Sequence, residues 1–308
     1  DSDTNRSAQA DTKSNLGTAT SAAPSQAARV TRAQAETYAA RHEADALCLL
    51  ALGRATGDPA WLQRALAEHP EDPRVQLERW NQASTPEEKL AAARALQKAA
   101  PDNPLGAYLE ASQAFENHDL GAVARMMVDA EAANTFDSYG VDLQLETEAA
   151  FRASGLDDFA AQEAAGRDSS SSRLVLSLRQ LGDDMGELQH VFVEMGYWDE
   201  ADFMFDRTLA LGEQLQDSGK FLENITGIGL QLKLLASFDP ETIVSDDGTR
   251  ACERLAELKA ATEAMHEVDI EKALEASKSL DPAGWAQYRE IIRRDGQLAA
   301  WRWLSEKK

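Results

Sequence analysis

The chain has 308 residues, 43% hydrophobic and 27% charged, which is enough for one large or two ordinary domains with a buried core. Its 53 Asp and Glu against 31 Lys and Arg leave a net charge of −22, which repels phosphate backbones and anionic membranes and so argues against nucleic acid as a ligand. No run approaches the roughly eighteen apolar residues of a membrane-spanning helix, so no transmembrane segment is expected. Solubility of a helical surface accounts for the charge more economically than a dedicated basic partner. If a partner exists, though, the charge favours a basic or neutral protein or peptide over an acidic one.

In chain order, residues 1–31 open with DSDTNRSAQADTKSNLGTATSAAPSQAA, a Ser/Thr/Ala/Asn-rich stretch almost without large apolar side chains. Such a stretch cannot offset its own ordering entropy, so it is expected to be a disordered polar tether. It resembles the spacer that follows an export signal or a lipid-modified cysteine in bacterial envelope proteins. That resemblance implies a periplasmic or envelope-associated location with a membrane tether upstream of residue 1, the cytoplasm being the alternative. The two cysteines, Cys48 and Cys252, sit in Leu/Ala-rich helical contexts with no thiol or histidine at ligand spacing, and are expected to be buried structural thiols.

The prolines supply the punctuation. HPEDP at 69–73 and APDNP at 100–104 repeat one phrase thirty-one residues apart. Pro70 and Pro101 each follow an amphipathic stretch and should stop it. Pro59, Pro73, Pro86, Pro104, Pro240 and Pro282 each follow Asp, Asn or Thr, the pattern of an N-cap followed by a first helical residue whose missing N–H costs nothing. Thr85 and Glu88 have capping-box spacing. Gly57, Gly155, Gly196 and Gly212 are expected to end helices in left-handed turns. RLVLSL (173–178) and HVFVEM (190–195) are the β-like runs, and both fit helix more economically. Trp61, Trp80 and Trp198 are expected in the core. Trp301 and Trp303 are two apart and cannot share a helix face, so one is expected inside and one outside unless both pack on something wrapped round the end. The fold class is all-α.

At 185–209 the chain reads MGELQHVFVEMGYWDEADFMFDRTL. Leu188 and Phe192, a turn at Gly196, then Ala201, Phe205 and Thr208–Leu209 follow the small–aromatic–small–leucine logic of two closely approaching helices. The segment 183–216 resembles a tetratricopeptide (TPR) repeat, lacking only the small residue near its start. Residues 69–104, residues 104–133 with an NHD turn at 117–119, and residues 136–167 with a GLDD turn resemble looser units. The resemblance implies a right-handed α-solenoid of antiparallel helix pairs, divided into an N-terminal array (32–168) and a C-terminal array with capping helices (169–308), with the serine run 169–172 as the joint.

Motifs for nucleophilic hydrolysis, zinc proteases, phosphate loops, dinucleotide binding and paired cysteines are absent from the sequence. SDDGT at 245–249 lacks calcium-loop spacing and reads as a capped turn. No cofactor or metal is expected. The leading expectation is a non-catalytic protein- or peptide-binding scaffold. The alternative is a helical enzyme or small-ligand-binding protein with a dispersed acidic/histidine pocket. Placing the helices in TPR register puts Asp183, Gly186, His190 and Glu194 on one groove face, and Arg74, Glu78, Asn81 and Gln82 on another. One cation among these acids cannot clamp a carboxylate, which again favours a basic or neutral peptide.

Overall fold

The computed structural model describes residues 30–133, 135–167, 170–245 and 247–307, so the expected tether lies, up to residue 29, outside the described residues. Side-chain oxygens open most of the helices. Thr31 and Gln34 form a reciprocal capping box at α1 (Arg32–Arg41), and Asp45 caps α2 (Ala46–Thr56). Asp58 Oδ1 accepts Ala60 N at 2.9 Å to begin α3 (Ala60–Glu68). Asp72 begins α4 (Pro73–Gln82), and Thr85 with Glu88 begins α5 (Pro86–Ala99). Asn103 Oδ1 accepts Leu105 N at 3.1 Å at α6 (Leu105–Glu116). Asp119 caps α7 (Leu120–Glu131), and Asp157 caps α9 (Asp158–Gly166). Between these two lies α8 (Gly140–Ala153), entered through Tyr139 at φ 54°.

The second half holds α10 (Ser170–Met195), α11 (Trp198–Gln216), α12 (Phe221–Leu235), α13 (Ala251–His266), α14 (Ile270–Ser277, capped by Asp269) and α15 (Pro282–Glu306, capped by Asp281). Among the described residues there are fifteen helices and no strand, only an isolated antiparallel bridge between Ile243 and Arg250. The two β-like runs lie inside α10, and residues 170–172 of the serine run are its first turn.

Pro70 and Pro101 follow the C-caps of α3 and α5, as their spacing predicts. Pro73, Pro86 and Pro282 occupy the first helical position, whereas Pro59 and Pro104 stand one residue earlier, at the cap itself. Pro240 departs from the expectation and begins no helix. Asp239 Oδ1 takes the amide of Glu241 at 2.9 Å, but the following Thr242, Ile243 and Val244 are β-branched and run extended into the Ile243–Arg250 bridge.

Gly57, Gly155 and Gly196 are left-handed as expected, but Gly212 lies inside α11. A Cβ there would meet Gln231 Cγ at 2.7 Å and Gly227 O at 3.1 Å, so Gly212 and Gly227 serve the close approach of α11 to α12. Trp61 and Trp80 are buried, as is Cys48. Cys252 is only half-buried, and Trp198 is not core at all. Burial pushes the Cys48 thiol up to about 12, which leaves it unreactive.

Neighbouring helices pack in two runs, α4 to α7 and α10 to α12, and distant ones close over them. α8 lies on α2, α9 touches α2, α10 packs on α6 and α15 meets α8 and α12. The largest apolar cluster joins α4–α7 to α10–α12 through Leu77, Leu96, Leu109, Met127, Leu178 and Leu211. A second joins α1–α4 to α8 and α9, a third links α11–α13, and Trp285, Tyr288 and Ile292 of α15 pack on Leu145 of α8 in a fourth. α15 is broken at Gly296 (φ 84°), where a Cβ would lie 2.7 Å from Gly219 O and where Gln297 N donates to that carbonyl at 2.8 Å. Beyond the break, Trp301 and Trp303 are both half-buried. Trp301 sits edge-on to Phe221 at 5.0 Å, and Lys307 Nζ lies 4.0 Å from the Trp303 ring. Neither ring is free, unlike the expected one-in, one-out split.

Candidate functional site

The four α4 candidates surround a polar interior rather than an open groove. Glu78 is buried, with Oε2 accepting Arg54 Nη2 of α2 at 3.0 Å and Oε1 accepting Gln82 Nε2 at 3.2 Å. A cavity of about 310 Å³ lies beside this pair, walled by Leu50, Gly53, Leu62 and Gln82. Arg74 turns back to its own cap, donating through Nε and Nη2 to Asp72. Burial by itself would raise Asp72, but those donors hold it below the usual carboxylate range. Asn81 is buried, and its backbone carbonyl accepts Arg173 Nη1 of α10 at 2.8 Å. Gln82 is exposed.

Behind α4, Glu223 of α12 is 1% exposed and accepts Ser138 Oγ at 2.9 Å. Burial raises its carboxyl above the ordinary value, and Lys220, Ser218 and Ser138 oppose the rise without cancelling it. Ser138 is itself buried, so this Ser–Glu pair is closed to a substrate. A second buried network joins α8, α9 and α15. Arg289 Nη1 donates to Glu148 at 2.9 Å and to Asp158 at 2.8 Å, with Arg152 3.7 Å from both carboxylates. Glu148 too is raised by burial, against the pull of Arg289. These are structural ties between distant helices: each buried carboxylate has its donor.

The α10 candidates lie elsewhere. Asp183 is tied to Lys233 of α12 at 2.7 Å and to Arg179 at 3.8 Å. His190 and Glu194 are exposed near the end of α10, and Gly186 is half-buried. α10 meets α4 at Arg173, and His190 is seventeen residues further on, about 25 Å along the helix. The two candidate sets thus occupy separate places.

What surrounds His190 and Glu194 is more distinctive than either residue. Val191, Met195, Tyr197 and Trp198 are 45%, 60%, 49% and 61% exposed. The turn that carries them is held firmly. Gly196 at φ 78° lets Tyr197 N donate to Phe192 O at 2.9 Å, and the Tyr197 ring stands edge-on to Phe192 at 6.4 Å. Residues 183–206 contain eight carboxylates and no Lys or Arg. Of these, Glu194, Asp199, Glu200 and Asp202 are exposed and enter no ion pair among the described residues. No family model matches the chain, and neither a curated protein nor a solved structure is similar enough to it to suggest a relative.

Repeat register points to His190 and Glu194 but not to the apolar patch around them. A signal was present. The buried stripe of α10 runs Leu174, Leu178, Leu181 and Met185 and continues through the half-buried Leu188 and Phe192, so Val191 is a surplus apolar residue off that phase, and Met195 carries the stripe one step further, to where it is exposed. In the 245–249 turn, Asp247 Oδ1 accepts Ser245 Oγ, Thr249 N and Thr249 Oγ1, which hold its carboxyl down to about 2. Asp246 of that motif is outside the described residues. Among the described residues no cluster of His, Cys, Asp and Glu has metal-binding geometry, and no helix is long and apolar enough to cross a membrane.

Proposed function

We propose that the chain is a non-catalytic protein-binding scaffold, a TPR-like right-handed α-solenoid of antiparallel helix pairs that docks a basic or neutral segment of a partner at the turn between α10 and α11. The observation that carries this reading is the composition of that turn. Four large apolar side chains are exposed within eight residues, in a segment whose ionised groups are all carboxylates. Trp, Tyr and Met are the residues that concentrate binding energy at protein interfaces. A second copy of the chain is a poor occupant, because it carries the same charge of −22. A segment with an apolar stripe and flanking Lys or Arg matches both the patch and its field, with His190 and Glu194 among the contacts.

Two helical peptides with one apolar stripe, one Lys/Arg-rich and one Glu/Asp-rich, would test this by fluorescence anisotropy against the full chain. The basic peptide should bind and weaken as salt rises past a Debye length of about 10 Å. Replacing Trp198 and Met195 by Ala should weaken it by about tenfold or more. Tighter binding of the acidic peptide, or indifference to the double substitution, would overturn the reading.

A further inference from the structure

A cleft of about 560 Å³ opens between α12 and the corner where α13 meets α14, and none of the exposed residues of the α10–α11 turn lines it. Its volume lies within the roughly 300–1,000 Å³ of ligand pockets. One wall is a single face of α12, where Phe221, Ile225, Ile228, Gly229 and Leu232 recur at helical spacing. The other wall ends in polar groups, Thr262, His266, Asp269 and Glu271, gathered at the α13–α14 corner. No Lys or Arg lines the cleft.

Gly229 indicates that the space is built rather than left over. A glycine inside a helix costs about 0.5–1 kcal/mol relative to alanine, because it loses more backbone freedom. Two residues earlier, Gly227 has a packing reason: a Cβ there would stand 2.3 Å from Gly212 O. Gly229 has none, since a Cβ there would meet nothing within 4 Å. Its effect is to keep the α12 wall open in the middle of an apolar face.

The polar end presents acceptors. Thr262 Oγ1 spends its proton on Leu258 O at 2.9 Å, which leaves its lone pairs for a ligand. Asp269 takes Lys272 N on Oδ1 at 2.8 Å as its helix cap and retains a second oxygen, and Glu271 is exposed at the rim. An apolar body against α12 with a hydrogen-bond-donating cationic head at this corner would match the apolar wall and the acceptors of Thr262, Asp269 and Glu271. A carboxylate head would meet two like charges. We propose that the cleft binds a small amphiphilic amine, with its alkyl or aryl body along Ile225, Gly229 and Leu232 and its ammonium group at Asp269 and Glu271.

The probe is Nile red, a neutral apolar dye, titrated against the full chain and then displaced by dodecylamine or by dodecanoate below their micellar concentrations. The expected result is dye binding that dodecylamine displaces at about tenfold lower concentration than dodecanoate. Gly229→Phe fills the cleft from its own wall and should abolish dye binding while leaving helical content and melting temperature intact. Glu271→Gln should cut the amine preference by about fivefold, as expected for one partly solvated charge. Leu176→Ala, exposed on α10 outside both the cleft and the α10–α11 patch, should change nothing. Absence of dye binding, equal displacement by the two amphiphiles, or dye affinity within about twofold in Gly229→Phe would overturn the proposal. So would displacement by a lysine-capped apolar decapeptide but not by dodecylamine, which would make the occupant a peptide.

Discussion

The inside of the α2–α4–α8 region and the outside of the α10–α14 region invert the usual distribution of polarity. In the first, Glu78 and Glu148 are buried against the half-buried Arg54 and the half-buried Arg289 of α15, and hydrogen bonds join helices remote in sequence. In the second, Val191, Met195, Trp198, Leu222 and Ile225 are exposed. The difference separates two uses of misplaced side chains. A buried charge with its donor in place specifies which helices meet, at little net gain in stability. An exposed large apolar side chain contributes nothing to the isolated fold and is available to something else.

The sharpest way to break this contrast is to remove one member of an internal pair. Arg289→Ala should destabilise the chain by about 3 kcal/mol in urea denaturation, because Glu148 would be left in the interior with Arg152 as a distant partner. A loss below about 1 kcal/mol would mean that water reaches Glu148 and that the network is not interior at all. Next in size, Gly227→Ala drives a methyl group against Gly212 O, at 2.3 Å, and Gln216 N, at 2.5 Å. The expected cost is about 2–3 kcal/mol, read as a lowered melting temperature, with α11 and α12 forced apart.

Glu223→Gln sharpens the comparison through pH. Burial raises the Glu223 carboxyl in the folded state, so on going up in pH the unfolded chain releases that proton first. The contribution of Glu223 to stability is therefore full below the ordinary glutamate range and is lost as pH rises through the folded value. Glutamine can still accept the Ser138 hydroxyl and carries no charge. The variant should melt higher than the parent at pH 7, match it near pH 4, and show a flatter slope between them. The smallest effect on stability belongs to the outer region. Trp198→Ala should stay within about 0.5 kcal/mol of the parent, because 61% of that residue already faces water. A larger loss would place Trp198 in a structural role and erase the distinction drawn above.

Local chemistry made most of the helix map legible in advance. A side-chain oxygen before a proline, a capping box at Thr85 and Glu88, or a left-handed glycine after an apolar stripe acts within one turn, so Pro73, Pro86, Pro282, Gly57 and Gly196 could be read from their neighbours. Where a distant element competes, the same residues mislead. Gly212 looks like a helix end and is a contact with Gly227, and Trp198 looks like core but stands 61% exposed at the start of α11. Which faces of α4 and α10 are inside depends on α2, α6 and α12, residues tens of positions away. The caps, the helix boundaries and the negative field therefore belong to the sequence by itself, since each arises from nearest neighbours or from a sum over residues. The polar interior around Glu78 and Glu223, the exposed α10–α11 turn and the α12–α14 cleft were decided only by tertiary structure, because burial is set by which helices meet and not by any residue alone.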